Sequence, residues 1–134
     1  MNAYFTKFTG KSFDESIEHV TAILKNHGFG IITEIDVTAT LKNKIDVDFR
    51  PYRILGACNP TFAHKALSSE DKAGIMMPCN VIIQQHTDGK VEVSIVNPDA
   101  AASNLNNKVL EDFACEVTKE LRLVFREIKH LINF

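Results

Sequence analysis

Apolar residues along this chain recur with two different periods, and the switches between them mark out its elements. Phe13, Ile17, Val20 and Leu24 return every three to four residues, as one face of a helix does. In front of them Ser12-Phe13-Asp14-Glu15 reads as a capping box, the serine hydroxyl accepting from the Glu15 amide and the glutamate reaching back to the serine N–H. His27 falls near the negative end of the helix dipole, and Gly28 supplies a left-handed closing conformation. These signals predict a helix over residues 13–27, preceded by a strand from Tyr4 to Phe8.

From Ile31 the period falls to two. Ile31, Thr33, Ile35 and Val37 share one face of a predicted half-buried strand, while Ile32, Glu34 and Asp36 share the other. Thr38 to Ile45 fits a short helix, and after Pro51 the run Tyr52 to Cys58 is again extended. Asn59-Pro60 announces another helix, with asparagine as cap and proline at the first helical position, ending near Leu67 or Ser68. Ile75 to Gln85 reads as a mostly apolar strand, and Val91, Val93 and Ile95 alternate with Glu92 and Ser94. Asp88-Gly89 between the two runs makes them a hairpin. Asn97-Pro98-Asp99 repeats the helix signal. The last helix carries Leu110, Phe113, Val117, Leu121, Val124, Ile128 and Leu131, a stripe too short for a coiled coil and suited to packing on a sheet. With no internal repeat or low-complexity tract, residues 1–134 form one predicted domain.

Composition narrows the class of function. A chain of 134 residues, 45% apolar and 24% charged, has the balance of an ordinary globular protein. A net charge of −2 argues against a phosphate-backbone partner, which needs clustered Lys and Arg. The start lacks the basic segment and apolar run of a signal peptide, and no membrane-length apolar stretch follows, so no membrane partner is expected. Three cysteines cannot all pair with one another, which favours a reducing, cytoplasmic setting.

The chemical lead is a pair of Cys-Asn dipeptides, Cys58-Asn59 and Cys79-Asn80. No catalytic triad, phosphate loop or metal-ligand spacing accompanies them, so no metal or cofactor is named by the sequence and binding is favoured over catalysis. Cys58 and Cys79 read as small buried hydrophobes, as a redox or nucleophilic pair, or, with His64 or a carboxylate, as metal ligands. Cys58 directly precedes a helix start whose dipole favours a thiolate. Asn59 is explained as a cap. Asn80, by strand alternation, faces away from Cys79 and is a candidate ligand contact. Glu34 and Asp36 share a strand face that Arg53 can reach, a set able to hold a ligand or to form a polar seam. His64 is expected on the exposed side of its short helix.

These residues also carry a resemblance. Gly28-Phe29-Gly30, Thr33 to Val37, Tyr52 to Pro60, Ala63, Ala66-Leu67 and Pro78-Cys79-Asn80-Val81 resemble the bacterial and archaeal domain-of-unknown-function family 302. The resemblance implies an α+β fold like half of a TATA-binding protein, in the arrangement β-α-β(4)-α, with a curved antiparallel sheet, helices packed on one face and a homodimeric state. It implies no activity, and fold alone does not fix function. Three functional expectations follow. The first is a dimer holding a small molecule or cofactor on its uncovered sheet face or in an inter-subunit groove, near Glu34, Asp36, Arg53 and one cysteine. The second is a thiol-dependent redox sensor or enzyme, and the third is a purely structural dimer.

Overall fold

The computed structural model describes residues 1–130. Leu131, the last residue of the predicted apolar stripe, lies outside them. The chain runs β1 (Tyr4–Thr9), α1 (Phe13–Asn26), β2 (Gly30–Asp36), α2 (Val37–Ile45), β3 (Tyr52–Cys58), α3 (Pro60–Ser69), a 3-10 turn (Ala73–Met76), β4 (Cys79–Gln85), β5 (Val91–Val96), α4 (Pro98–Ala102) and α5 (Lys108–Glu127). The strands form one open antiparallel sheet in the order β1-β5-β4-β3-β2.

Strand alternation divides the sheet into a covered and an uncovered face. Leu55 and Ala57 of β3, Cys79, Val81 and Ile83 of β4, and Val91, Val93 and Ile95 of β5 are all buried on the covered side. Over them lie Val20, Ile23 and Leu24 of α1 and Leu110, Phe113, Val117, Leu121 and Val124 of α5. Both helices thus bury the stripe that their period of 3.6 anticipates. The α1 and α3 caps are those the sequence carries, whereas Asn97 makes no side-chain cap bond to α4, and α5 is capped instead by Asn107, whose Oδ1 accepts from the Leu110 amide at 3.1 Å. Ser12 accepts from the Glu15 amide at 3.2 Å. Hydrogen bonds from the Ser12 side chain and backbone hold the Glu15 carboxyl below its ordinary pKa, which closes the capping box.

The α1 terminus is a Schellman motif: Phe29 N–H bonds the Leu24 carbonyl at 2.9 Å and Gly28 N–H the Lys25 carbonyl at 3.0 Å, with Gly28 at φ +84°. Asn59 meets this turn. Its Oδ1 accepts from the amides of Thr61 at 3.1 Å and Phe62 at 3.3 Å, capping α3, while its Nδ2 packs against Gly28 so closely that a Cβ there would stand 2.9 Å away.

Two strands differ from the sequence reading. In β2 the register slips between Ile31 and Thr33, so Ile31 pairs with Ala57 on the covered side while Thr33 and Ile35 stay on the uncovered side. A bulge of this kind inserts one residue and reverses the facing of what precedes it. β2 is an edge strand and mostly exposed rather than half-buried, and Val37 belongs to α2, which Asp36 caps by accepting from the Ala39 amide at 3.0 Å. β4 starts at Cys79, not Ile75. Residues 73–76 instead close a helical turn, with Met77 N–H on the Gly74 carbonyl, and Pro78 has no N–H to offer a ladder.

Candidate functional site

The uncovered face consists of three cross-strand rows. One reads Thr33, Gly56 and Asn80, with the Val96–Tyr4 pair at the β5–β1 end; the next Ile35, Ile54, Ile82, Ser94 and Thr6; the third Tyr52, Gln84, Glu92 and Phe8. Each row lies across the sheet with neighbours about 4.8 Å apart. Between them opens a concavity of about 440 Å³, lined by Tyr4, Tyr52, Asn80, Ile82, Gln84, Glu92, Ser94 and Val96. Apolar side chains make its floor and polar groups converge from β3, β4 and β5.

Its polar groups are held in place by neighbours. The Thr6 hydroxyl donates to Glu92 Oε2 at 2.6 Å and lies 2.9 Å from Ser94 Oγ, and His86 Nε2 is 2.9 Å from Glu92 Oε1. Only 17% of the Glu92 side chain is exposed. Burial acts to raise its pKa, but the Thr6 and His86 hydrogen bonds outweigh burial and hold the carboxyl below its usual range. At the other end Arg50 Nε donates to Gln84 Oε1 at 2.9 Å, and the guanidinium lies 4.5 Å from the Phe49 ring centroid and 5.7 Å from that of Tyr52.

Of the residues singled out from the sequence, only Asn80 is in this concavity. Glu34, Asp36 and Arg53 do meet: Arg53 Nη1 donates to Glu34 Oε1 at 2.6 Å, and Nη2 is 3.6 Å from Asp36 Oδ2. Their register puts them on the side that carries the helices, and Arg53 lies over the Phe13 ring at the start of α1. They form an edge cluster on the face opposite Asn80, with Asp36 also serving as a cap. His64 is exposed on α3.

The two cysteines occupy neighbouring strand ends, since Ala57 is the register partner of Cys79. Both line a narrow space of about 10 Å³ with Phe62, Pro78 and Phe113. Cys79 is 7% exposed, and burial, with the Cys58 sulfur adding to it, pushes its thiol up to about 11. Cys58 is half-buried, Cys115 exposed, and all three are free thiols. Among the described residues no group of three His, Cys, Asp or Glu side chains is arranged to hold a metal ion.

The sequence reading left Tyr52, Gln84, Glu92 and Ser94 unassigned as site residues. Part of their signal is present: in the β4–β5 hairpin Gln84, Glu92 and Ser94 are polar positions alternating with buried core residues, while Ile82 and Val96 on the same face are apolar and Tyr52 joins only as the register partner of Gln84 on β3.

The fold is shared with known proteins. A search of curated proteins found no match. Among solved structures the chain is similar to the uncharacterized conserved protein DUF302 from Bacillus stearothermophilus, with 26% identity over 96% of this chain and 100% of that one and a TM-score of 0.87. The family model described as Domain of unknown function DUF302 matches residues 5–128. With nearly the whole chain matched and the same open α+β sheet on both sides of the comparison, the protein belongs to the DUF302 family.

Proposed function

We propose that this chain is a small-ligand-binding protein whose site is the concavity on the uncovered sheet face. One observation carries the reading: about 440 Å³ of concave space, within the range of small-molecule sites, lined by an apolar floor and by polar side chains oriented from behind. Such preorganised polar groups favour a ligand over solvent because their geometry costs nothing further on binding. The homodimer fits the same picture. Edge strand β2 exposes 60% of Ile32 and 47% of Ile35, and an exposed strand edge is a template for pairing with a second copy. Free thiols at all three cysteines support a reducing, cytoplasmic setting. Among the described residues no helix is long and apolar enough to cross a membrane.

Thiol chemistry is the weaker reading. A Cys79 pKa near 11 leaves that sulfur protonated at neutral pH, and of this pair Cys58 alone retains the partial access a nucleophile needs.

The test is an amide-resolved NMR titration of the chain with mixtures of small metabolites, run beside light scattering. Shifts confined to Asn80, Ile82, Gln84, Glu92 and Ser94 are expected. Shifts only at the α3–α5 surface, or none with any mixture, would overturn the reading.

A further inference from the structure

Resting on that reading, we propose that the concavity recognises a planar heterocycle through a lactam edge, an N–H donor beside a C=O acceptor. The argument is a count of protons. Arginine carries donors only, so the Arg50 Nε contact at 2.9 Å fixes Gln84 with Oε1 toward the guanidinium. Gln84 Nε2 is then the group left to face the concavity, and it is a donor.

The next position across the row is an acceptor. Thr6 Oγ1 has one proton and three oxygens in reach: Glu92 Oε2 at 2.6 Å, Ser94 Oγ at 2.9 Å and Val93 O at 3.2 Å. The ionised carboxylate at the shortest distance takes it. Ser94 consequently donates its own proton to Thr6 and presents lone pairs. Glu92, with one oxygen on Thr6 and the other on His86, keeps lone pairs unused, since a carboxylate accepts about four hydrogen bonds.

Gln84 and Glu92 are direct register partners on β4 and β5. A donor and an acceptor therefore stand side by side, as the complement of a lactam requires. The Tyr52 ring and the apolar Ile82 and Val96 side chains give contact for the flat faces of such a ring. A purely apolar ligand would leave the Gln84 Nε2 donor and the unused Glu92 lone pairs unpaired, and an anionic one would meet the Glu92 charge. Both are disfavoured by the same geometry.

The probes are uracil, 1,3-dimethyluracil, which keeps the ring and carbonyls but has no N–H, and indole, titrated into the full chain by amide-resolved NMR. Uracil is expected to shift the amides of Gln84, Glu92 and Ser94, and 1,3-dimethyluracil to bind at least about tenfold more weakly. Gln84→Met should weaken uracil about tenfold while leaving indole unchanged, and Ser94→Ala gives an independent variant with its fold read from the same spectrum. Dimethyluracil or indole binding as tightly as uracil would overturn the lactam edge and leave the binding reading standing. Metabolites shifting this face while uracil does not would do the same. No shift with any probe or metabolite mixture would overturn both.

Discussion

The Lys7 ammonium donates to the Phe125 carbonyl at 2.6 Å and stands 4.2 Å from the centroid of that residue's own ring. A second bond of 3.0 Å reaches the Ile128 carbonyl, so a lysine of edge strand β1 caps the negative end of α5. Burial lowers its pKa, yet the last-turn carbonyls offer it the partners that burial demands. Lys7→Met keeps the apolar stem and removes the charge. It should cost about 1–2 kcal/mol of stability, seen as a lower urea midpoint at unchanged slope.

His27 links the end of α1 to α5, with Nε2 2.7 Å from Glu127 and Nδ1 3.3 Å from Glu120. The Glu127 hydrogen bond raises its pKa against the opposing effect of burial, and Glu120 adds to the rise. Because the folded value lies above the unfolded 6.5, the stabilisation is fully present below 6.5 and is lost as pH rises through the folded pKa. His27→Gln should therefore destabilise near pH 5.5 and be neutral near pH 8.5. The difference is about 0.5 kcal/mol once solvent screening of the exposed glutamates is counted, and paired urea melts at the two pH values measure it.

Gly56 has no room for a side chain. A Cβ there would run into Thr33 Oγ1 and lie 2.7 Å from the Pro78 ring. Gly56→Ala should destabilise by about 1–3 kcal/mol through overpacking in a central strand. Adding Thr33→Ala removes one of the two clashes, so the double variant should recover part of the loss in a thermal melt.

The three thiols should react in the order of their access. Cys115 is expected to alkylate first, Cys58 next and Cys79 only with unfolding, as followed by intact mass. Raising the Cys79 pKa from 9.0 to about 11 lowers its thiolate fraction near pH 8 roughly a hundredfold before steric protection is counted. Fast alkylation of Cys79 in the folded chain would contradict the burial described above.

The fold was legible where one signal decided the structure. Ser12 to Gly28 carries cap, stripe and terminator within a single element, and α1 follows them to within a residue. β2 was misread because a bulge is a relationship between two strands: nothing in Ile31-Ile32-Thr33 itself shows that β3 will pair two residues apart with neighbouring partners. Ile75 looked like strand because its neighbours are apolar, yet it is 79% exposed in a turn that Gly74 and Pro78 punctuate. Glu34, Asp36 and Arg53 were correctly joined as a cluster. Their face could not be assigned without knowing where the helices lie. The concavity needed more still, since Tyr4, Tyr52, Gln84 and Glu92 come together only through the strand order β1-β5-β4-β3.

Asn59 and Asn97 are the asparagines on which the helix connections turn, and each is followed directly by proline, Pro60 and Pro98. Asparagine ages chemically when the next backbone nitrogen attacks its side-chain carbonyl, and a proline nitrogen has no hydrogen to give up in that ring closure. The Asn59 amide between α1 and α3, and the Asn97 side chain, 2% exposed and bonded at 2.8 Å to the Asn2 carbonyl, are thereby withdrawn from spontaneous deamidation. The pyrrolidine rings that start α3 and α4 thus also close the backbone-nitrogen route to deamidation at these two joints.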